Sequence, residues 1–132
     1  MTGIIFSDLG HASSFMALDW VQDSLKQSLG YHPFPATLNL RPMAAQDAQV
    51  WRRVQSEFPG TPLWPATSSF CSAKLYRVEI QSPASTLKIS GAILLPDVKD
   101  YPRDKIEIVA AVRLKDHLSV NDGDQLTLEF LN

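Results

Sequence analysis

The sequence predicts a mainly β fold with one or two helices, closed as a small β-barrel in a single domain. Three observations carry this. Short runs that alternate apolar and polar residues, or are rich in β-branched ones, recur along the chain and amount to five to seven strands. Only one stretch repeats apolar residues at clear helical spacing, too few helices for a doubly wound sheet. The chain has 132 residues, enough for one core; chains of this size bury roughly 65–70% of their unfolded surface.

In chain order, "GIIF" (3–6) reads as an opening strand ended by the turn-formers Ser7, Asp8 and Gly10. From about Phe15 to Leu29, the residues Leu18, Val21, Leu25 and Leu29 share one helical face, with Asp19, Gln22, Asp23, Lys26 and Gln27 on the other. Ser13 or Ser14 could cap that helix, and Gly30 stands where a left-handed C′ glycine ends one. "TLNL" (37–40) follows as a strand with Leu38 and Leu40 on one side and Thr37 and Asn39 on the other, ended by Pro42. Residues 44–69 contain "AAQDAQVWRRVQSEF", a short-helix candidate, then a turn-rich stretch; the whole is expected as a surface excursion within the domain. "FCSAKLYRVEI" (70–80) and "TLKISGAILLP" (86–96) are strand-like and joined by a turn, and Tyr101 with Pro102 opens another turn. "KIEIVAA" (105–111) is β-rich and "VRLKDHL" (112–118) offers one helical turn. A turn at residues 121–124 then leads to a strand in which Leu126, Leu128 and Phe130 alternate with Thr127 and Glu129.

Composition narrows the function. Twelve basic against fourteen acidic residues leave a formal net charge of −2 and no basic stripe, so nucleic acid is not the expected partner. The longest apolar runs fall far short of the ~20 residues a spanning helix needs, so no membrane role is expected. The start of the chain resembles no signal peptide, and the single cysteine, Cys71, fits a reducing compartment; a cytoplasmic protein is the expectation. There is no G-x-x-x-x-G-K-[ST], G-x-G-x-x-G, C-x-x-C or H-E-x-x-H motif. His11, His32 and His117 lie far apart and read as surface or loop residues. Cys71 reads as a small core residue, and Trp20, Trp51 and Trp64 as packing or surface anchors.

Three places could carry chemistry. Thr37 and Asn39, two apart on a strand, project oxygens to the same side about 6–7 Å apart at Cα. Neutral hard oxygens of this kind suit Mg²⁺ that takes its charge balance from substrate phosphates. Spacing alone favours a plainer origin, the solvent face of an edge strand. "SDLGHASS" (7–14) passes from strand to helix with small residues that would admit a phosphate to backbone N–H groups, or it is simply a capped helix start. Arg113 and Lys115 follow a β-rich segment, where such pairs are usually solvated.

Together, "LGHASSFMAL", "LGYHPFPATLNL" and "SGAILLP…YP…IEIVAAVRLKDHLSVNDGDQLTL", in that order, resemble the archaeal-type CTP-dependent riboflavin kinase family, over nearly the whole chain apart from the excursion at about 44–69. The resemblance implies a cradle-loop-type β-barrel, one domain over 1–132, that transfers a phosphoryl group from CTP to riboflavin, giving FMN and CDP, with Mg²⁺ as cofactor. It places the metal ligands on Thr37 and Asn39. Nucleotide contacts fall on Asp8, Leu9, Gly10, His11, Ala12 and Ser13 and on Val112, Arg113, Leu114 and Lys115. The flavin contact falls on Glu107, which is also a candidate catalytic base beside Asp100. The chain departs from the family at His11, Ala12 and Ala36. It also carries Lys99 where the family has a flavin-contacting threonine; a protonated lysine accepts no hydrogen bond but can reach a phosphate. Two alternatives stay open: a non-catalytic nucleotide- or flavin-binding barrel, and a kinase for a different small acceptor. CTP and riboflavin are the expected small-molecule partners, and a monomer or weak homodimer the expected state. Pro33 and Pro35 are expected to stiffen the approach to Thr37 and Asn39.

Overall fold

Side-chain alternation decides which way each strand faces, and the facing decides closure. In β1 (Thr2–Phe6) Ile5 turns inward, in β2 (Leu38–Pro42) Leu38 and Leu40 do, and in β7 (Gln125–Phe130) Leu126 and Leu128 do. The computed structural model, which describes residues 1–8, 15–65 and 72–131, adds β3 (Thr61–Leu63), β4 (Ala73–Gln81), β5 (Lys88–Pro96) and β6 (Ile106–Ala110). All pairings are antiparallel, in the order β3-β4-β5-β6-β2-β1-β7, and β4 pairs back onto β7. The result is a six-stranded antiparallel barrel with β3 as an added strand. Residues 73–75 of β4 pair with β3 and residues 78–81 of the same strand pair with β7. Closure leaves the six barrel strands without a free edge.

Among the described residues there are two cores. Ile5, Leu40, Val78, Ile93, Ile106, Ile108 and Leu126 fill the barrel. Met16, Val21, Leu25, Leu75, Leu94 and Val109 form a second core on the outer wall, under helix α1 (Asp19–Leu29). Strand β6 is therefore buried on both faces: Ile106, Ile108 and Ala110 look inward while Val109 looks out toward α1.

The helix expected from about Phe15 is interrupted: residues 15–16 are helical but are set off from α1 by a break. Leu18 is extended (φ −65°, ψ 137°) and regular helix starts at Asp19, although Met16, ahead of it, is fully buried. Gly30 ends the helix at φ 88° with its amide on Lys26 O at 2.8 Å, a left-handed cap that glycine adopts without strain. The proposed caps Ser13 and Ser14, and Cys71, lie outside the described residues.

The segment read as a surface excursion does more than cover the surface. Helix α2 (Ala45–Glu57) carries Trp51, 2% exposed, and Val54 into the barrel core. The Trp51 ring meets Tyr76 edge-on at 5.4 Å and stacks on Phe130 at 6.0 Å. Asp47 in its first turn accepts from the amides of Ala44 and Thr2, tying the helix start to β1. Among the described residues no helix is long and apolar enough to cross a membrane.

Candidate functional site

The site grows from the register of β2 against β6. Leu38 and Leu40 commit one face of β2 to the barrel core, so Asn39 faces outward. Register puts Asn39 opposite Glu107, with Phe6 of β1 and Leu94 of β5 completing the row. Thr37 stands one residue ahead of β2, not within it as the sequence suggested.

Glu107 is 6% exposed, a carboxylate taken out of water on a strand buried along its whole length. Such burial is tolerable only with hydrogen-bond donors supplied. Two are present: Thr37 Oγ1 donates to Oε1 at 3.2 Å, and the Tyr101 hydroxyl donates to Oε2 in a short hydrogen bond. Burial first, then the hydrogen bond to Glu107 and the charges of Glu107 and Asp8, push the Tyr101 phenol well above its ordinary range, so it remains a donor. The turn that delivers Tyr101 closes with its amide on Val98 O at 3.2 Å and holds Asp100 left-handed at φ 66°. Lys99 and Asp100 are exposed in that turn.

Asn39 Oδ1 is buried and has no hydrogen-bond partner. Native structures seldom leave a buried polar oxygen orphaned, since that costs about 1–3 kcal/mol. An oxygen in this state beside a threonine hydroxyl and a carboxylate is what a small hard cation would satisfy, so these residues fit Mg²⁺. Among the described residues no three His, Cys, Asp or Glu side chains cluster as an alternative metal centre.

Thr37 also lines a cleft with Ala36, Val112, Arg113, Leu114 and Lys115, so a predicted metal ligand and the second predicted nucleotide segment share one opening. Leu114 is buried in the barrel core and anchors the short helix α3 (Leu114–Leu118). The two cations at the cleft are paired: Arg113 Nη1 with Asp116 Oδ1 at 2.6 Å, and Lys115 Nζ with Asp122 Oδ1 at 2.8 Å. Ser7 Oγ donates to the other oxygen of Asp122 at 2.5 Å, and the bonds from Lys115 and Ser7 hold the Asp122 carboxyl below the usual range. Asp8 binds Lys105 Nζ at 2.5 Å, and that ammonium lies 5.9 Å from the centroid of the Tyr101 ring.

Thr37, Asn39 and Glu107 are thus brought together, with Val112, Arg113, Leu114 and Lys115 adjoining and Asp8 linked through Lys105. Leu9, Gly10, His11, Ala12 and Ser13 lie outside the described residues. His32 and His117 are exposed. Sequence reasoning missed Tyr101, Lys105 and Asp122. A usable signal was Glu107 itself: a carboxylate flanked by Ile106 and Ile108 demands donors from elsewhere in the chain.

The family model for CTP-dep_RFKase, described as "Domain of unknown function DUF120", matches residues 5–130. A protein named riboflavin kinase from Aeropyrum pernix is 33% identical over 135 residues, covering 98% of this chain and 94% of that protein. Riboflavin kinases from Pyrobaculum islandicum and Pyrobaculum arsenaticum are 29% and 30% identical, covering 98% and 99% of this chain. The chain spans only about 59–60% of the length of those two relatives. On the match to residues 5–130, the chain belongs to the CTP-dep_RFKase family.

Proposed function

We propose that this protein is a kinase that moves the terminal phosphoryl group of CTP to a hydroxyl of riboflavin, yielding FMN and CDP, with Mg²⁺ on the donor phosphates. One observation carries the reading. A buried carboxylate, the threonine hydroxyl bonded to it and the orphaned Asn39 oxygen meet beside a cleft edged by Arg113 and Lys115. Membership of the family supports CTP as donor, and the name riboflavin kinase borne by the relatives supports the acceptor.

Phosphoryl transfer asks a protein mainly for positioning and charge stabilisation. Mg²⁺, when bound, offsets the negative charge of the donor phosphates. Thr37 and Asn39 would hold it, through a hydroxyl whose proton is directed at Glu107 and a carboxamide oxygen with nothing else to bind. Arg113 and Lys115 would neutralise phosphate charge at the cleft, in exchange for their bonds to Asp116 and Asp122. Glu107 would orient the acceptor and receive its proton: the hydroxyl oxygen attacks the terminal phosphorus, the bond from that phosphorus to the bridging oxygen breaks, and CDP leaves.

Lys99 favours a second reading, in which the barrel serves another small hydroxyl acceptor. It stands exposed two residues ahead of Tyr101. Incubation with riboflavin, Mg²⁺ and either CTP or ATP, followed by chromatography for FMN, separates the two. FMN formed from CTP and not ATP is the expected result. CTP consumed only with a different acceptor favours the second reading, and CTP bound without turnover sinks both.

A further inference from the structure

Glu107 is held at both ends of its carboxylate by hydroxyl donors from two separate loops, Thr37 ahead of β2 and Tyr101 ahead of β6. A threonine hydroxyl has one proton and two lone pairs. Where the proton goes decides where the lone pairs point, and a cation needs the lone pairs. The usefulness of Thr37 as a ligand therefore depends on where Glu107 Oε1 lies. A glutamate carboxylate anchored at one oxygen turns freely about its broad terminal torsion; anchored at both, it is fixed.

The second anchor is itself well held. Tyr101 closes a turn onto Val98, its ring lies 5.9 Å from the Lys105 ammonium, and that ammonium is paired with Asp8 at 2.5 Å. Three elements thus converge on one phenol: the end of β1 through Asp8, the start of β6 through Lys105, and the turn after β5. A tyrosine needed only to cover the core would not require its hydroxyl aimed at a buried carboxylate.

We propose that Tyr101 is a positioning residue. Its hydroxyl locks the Glu107 carboxylate so that Thr37 gives its proton to Oε1 and presents its oxygen, with the unpartnered Asn39 Oδ1, to a divalent cation. The inference rests on the reading of Thr37 and Asn39 as the Mg²⁺ ligands. Partners one step behind metal ligands typically alter metal affinity about 10–100-fold when removed.

Tyr101 also lines a second cleft with Trp51, Arg52, Leu95 and Arg103, so direct contact with the acceptor is the rival role. The two differ in what is lost. Mg²⁺ is titrated by calorimetry into the whole protein saturated with CDP, with no acceptor present. Tyr101→Phe is expected to weaken Mg²⁺ binding about tenfold or more, while CDP affinity without metal and the melting curve stay at native values. In a Thr37→Val background the same change should cost nothing further, because the path runs through Thr37. Glu107→Gln is the second variant should Tyr101→Phe fold poorly. A carboxamide has only one accepting oxygen for the two hydroxyls, so it predicts the same loss of Mg²⁺ affinity. Native Mg²⁺ affinity in both variants, losses that simply add in the double variant, or an effect confined to the KM for riboflavin would each overturn the positioning role. If the unaltered protein binds CDP but takes up no Mg²⁺, the metal reading fails first and the role of Tyr101 toward it falls too.

Discussion

Asn39 is the residue at which stability and function pull apart. Its side-chain oxygen is buried without a partner, so it is a cost to the folded protein. Replacing it by alanine removes that cost together with some packing, and the two oppose each other. Asn39→Ala is therefore expected to melt within about 1 kcal/mol of the unaltered protein, or slightly above it. The same variant should lose at least about a hundredfold in kcat/KM with CTP, since removing a ligand costs no less than removing a partner one step behind it, about 10–100-fold. A thermal melt beside a steady-state assay checks both, and a fully active variant would remove Asn39 from the site. Alternation with Leu38 and Leu40 fixes the side of β2 on which Asn39 lies, but spacing alone favoured a plain solvent face, and the metal role proposed for Thr37 and Asn39 came from the family resemblance. Tyr101 was not legible in the sequence, because its meaning depends on the register of β2 with β6 and on a left-handed turn at Asp100, neither of which has a local signature.

Two elements behave differently from their sequence readings. The approach to β2 contains Pro33, which is buried with its carbonyl accepting from Gln22 Nε2 at 3.1 Å, and Pro35, which is exposed. Only Pro35 can be exchanged without disturbing packing. Pro35→Gly should weaken Mg²⁺–CTP binding several-fold by loosening the chain before Thr37, with a stability loss of no more than about 1 kcal/mol. Unchanged affinity, measured by calorimetry, would mean the stiffness serves nothing at the site. Helix α2 was hard to recognise as a core element because just Trp51 and Val54 are buried in thirteen residues. The ring partners of Trp51, Tyr76 and Phe130, come from strands distant in sequence. Trp51→Ala should cost about 3–5 kcal/mol in a denaturant melt. Helix α1 was the opposite case, since Val21 and Leu25 repeat at helical spacing; the extended Leu18 only separates it from the helical residues 15–16.

At the scale of the whole molecule, the barrel was legible as a class and not as a topology. Strand count and the shortage of helices point to closure, but nothing local says that β4 must pair with β3, β5 and β7. One glycine reveals how tightly the wall is wound. A Cβ on Gly91 would lie 2.6 Å from Val109 O and 2.7 Å from Ile80 Cδ1. Gly91→Ala should therefore destabilise the barrel by about 1–3 kcal/mol even though the residue is not among the glycines with positive φ. An alanine variant that melts like the parent would mean the wall can spread there.

The seam between β1 and β7 has a consequence for how the molecule is made. The Met1 ammonium donates to Leu128 O across 127 residues, and the Leu128 amide returns a bond to Met1 O. Strand β1 pairs with a neighbour that follows it by well over a hundred residues, so this contact closes the longest loop in the sheet and is slow to form. Until β7 docks between them, the folding sheet keeps open edges at β1 and β4, where stray pairing with other chains is most easily made.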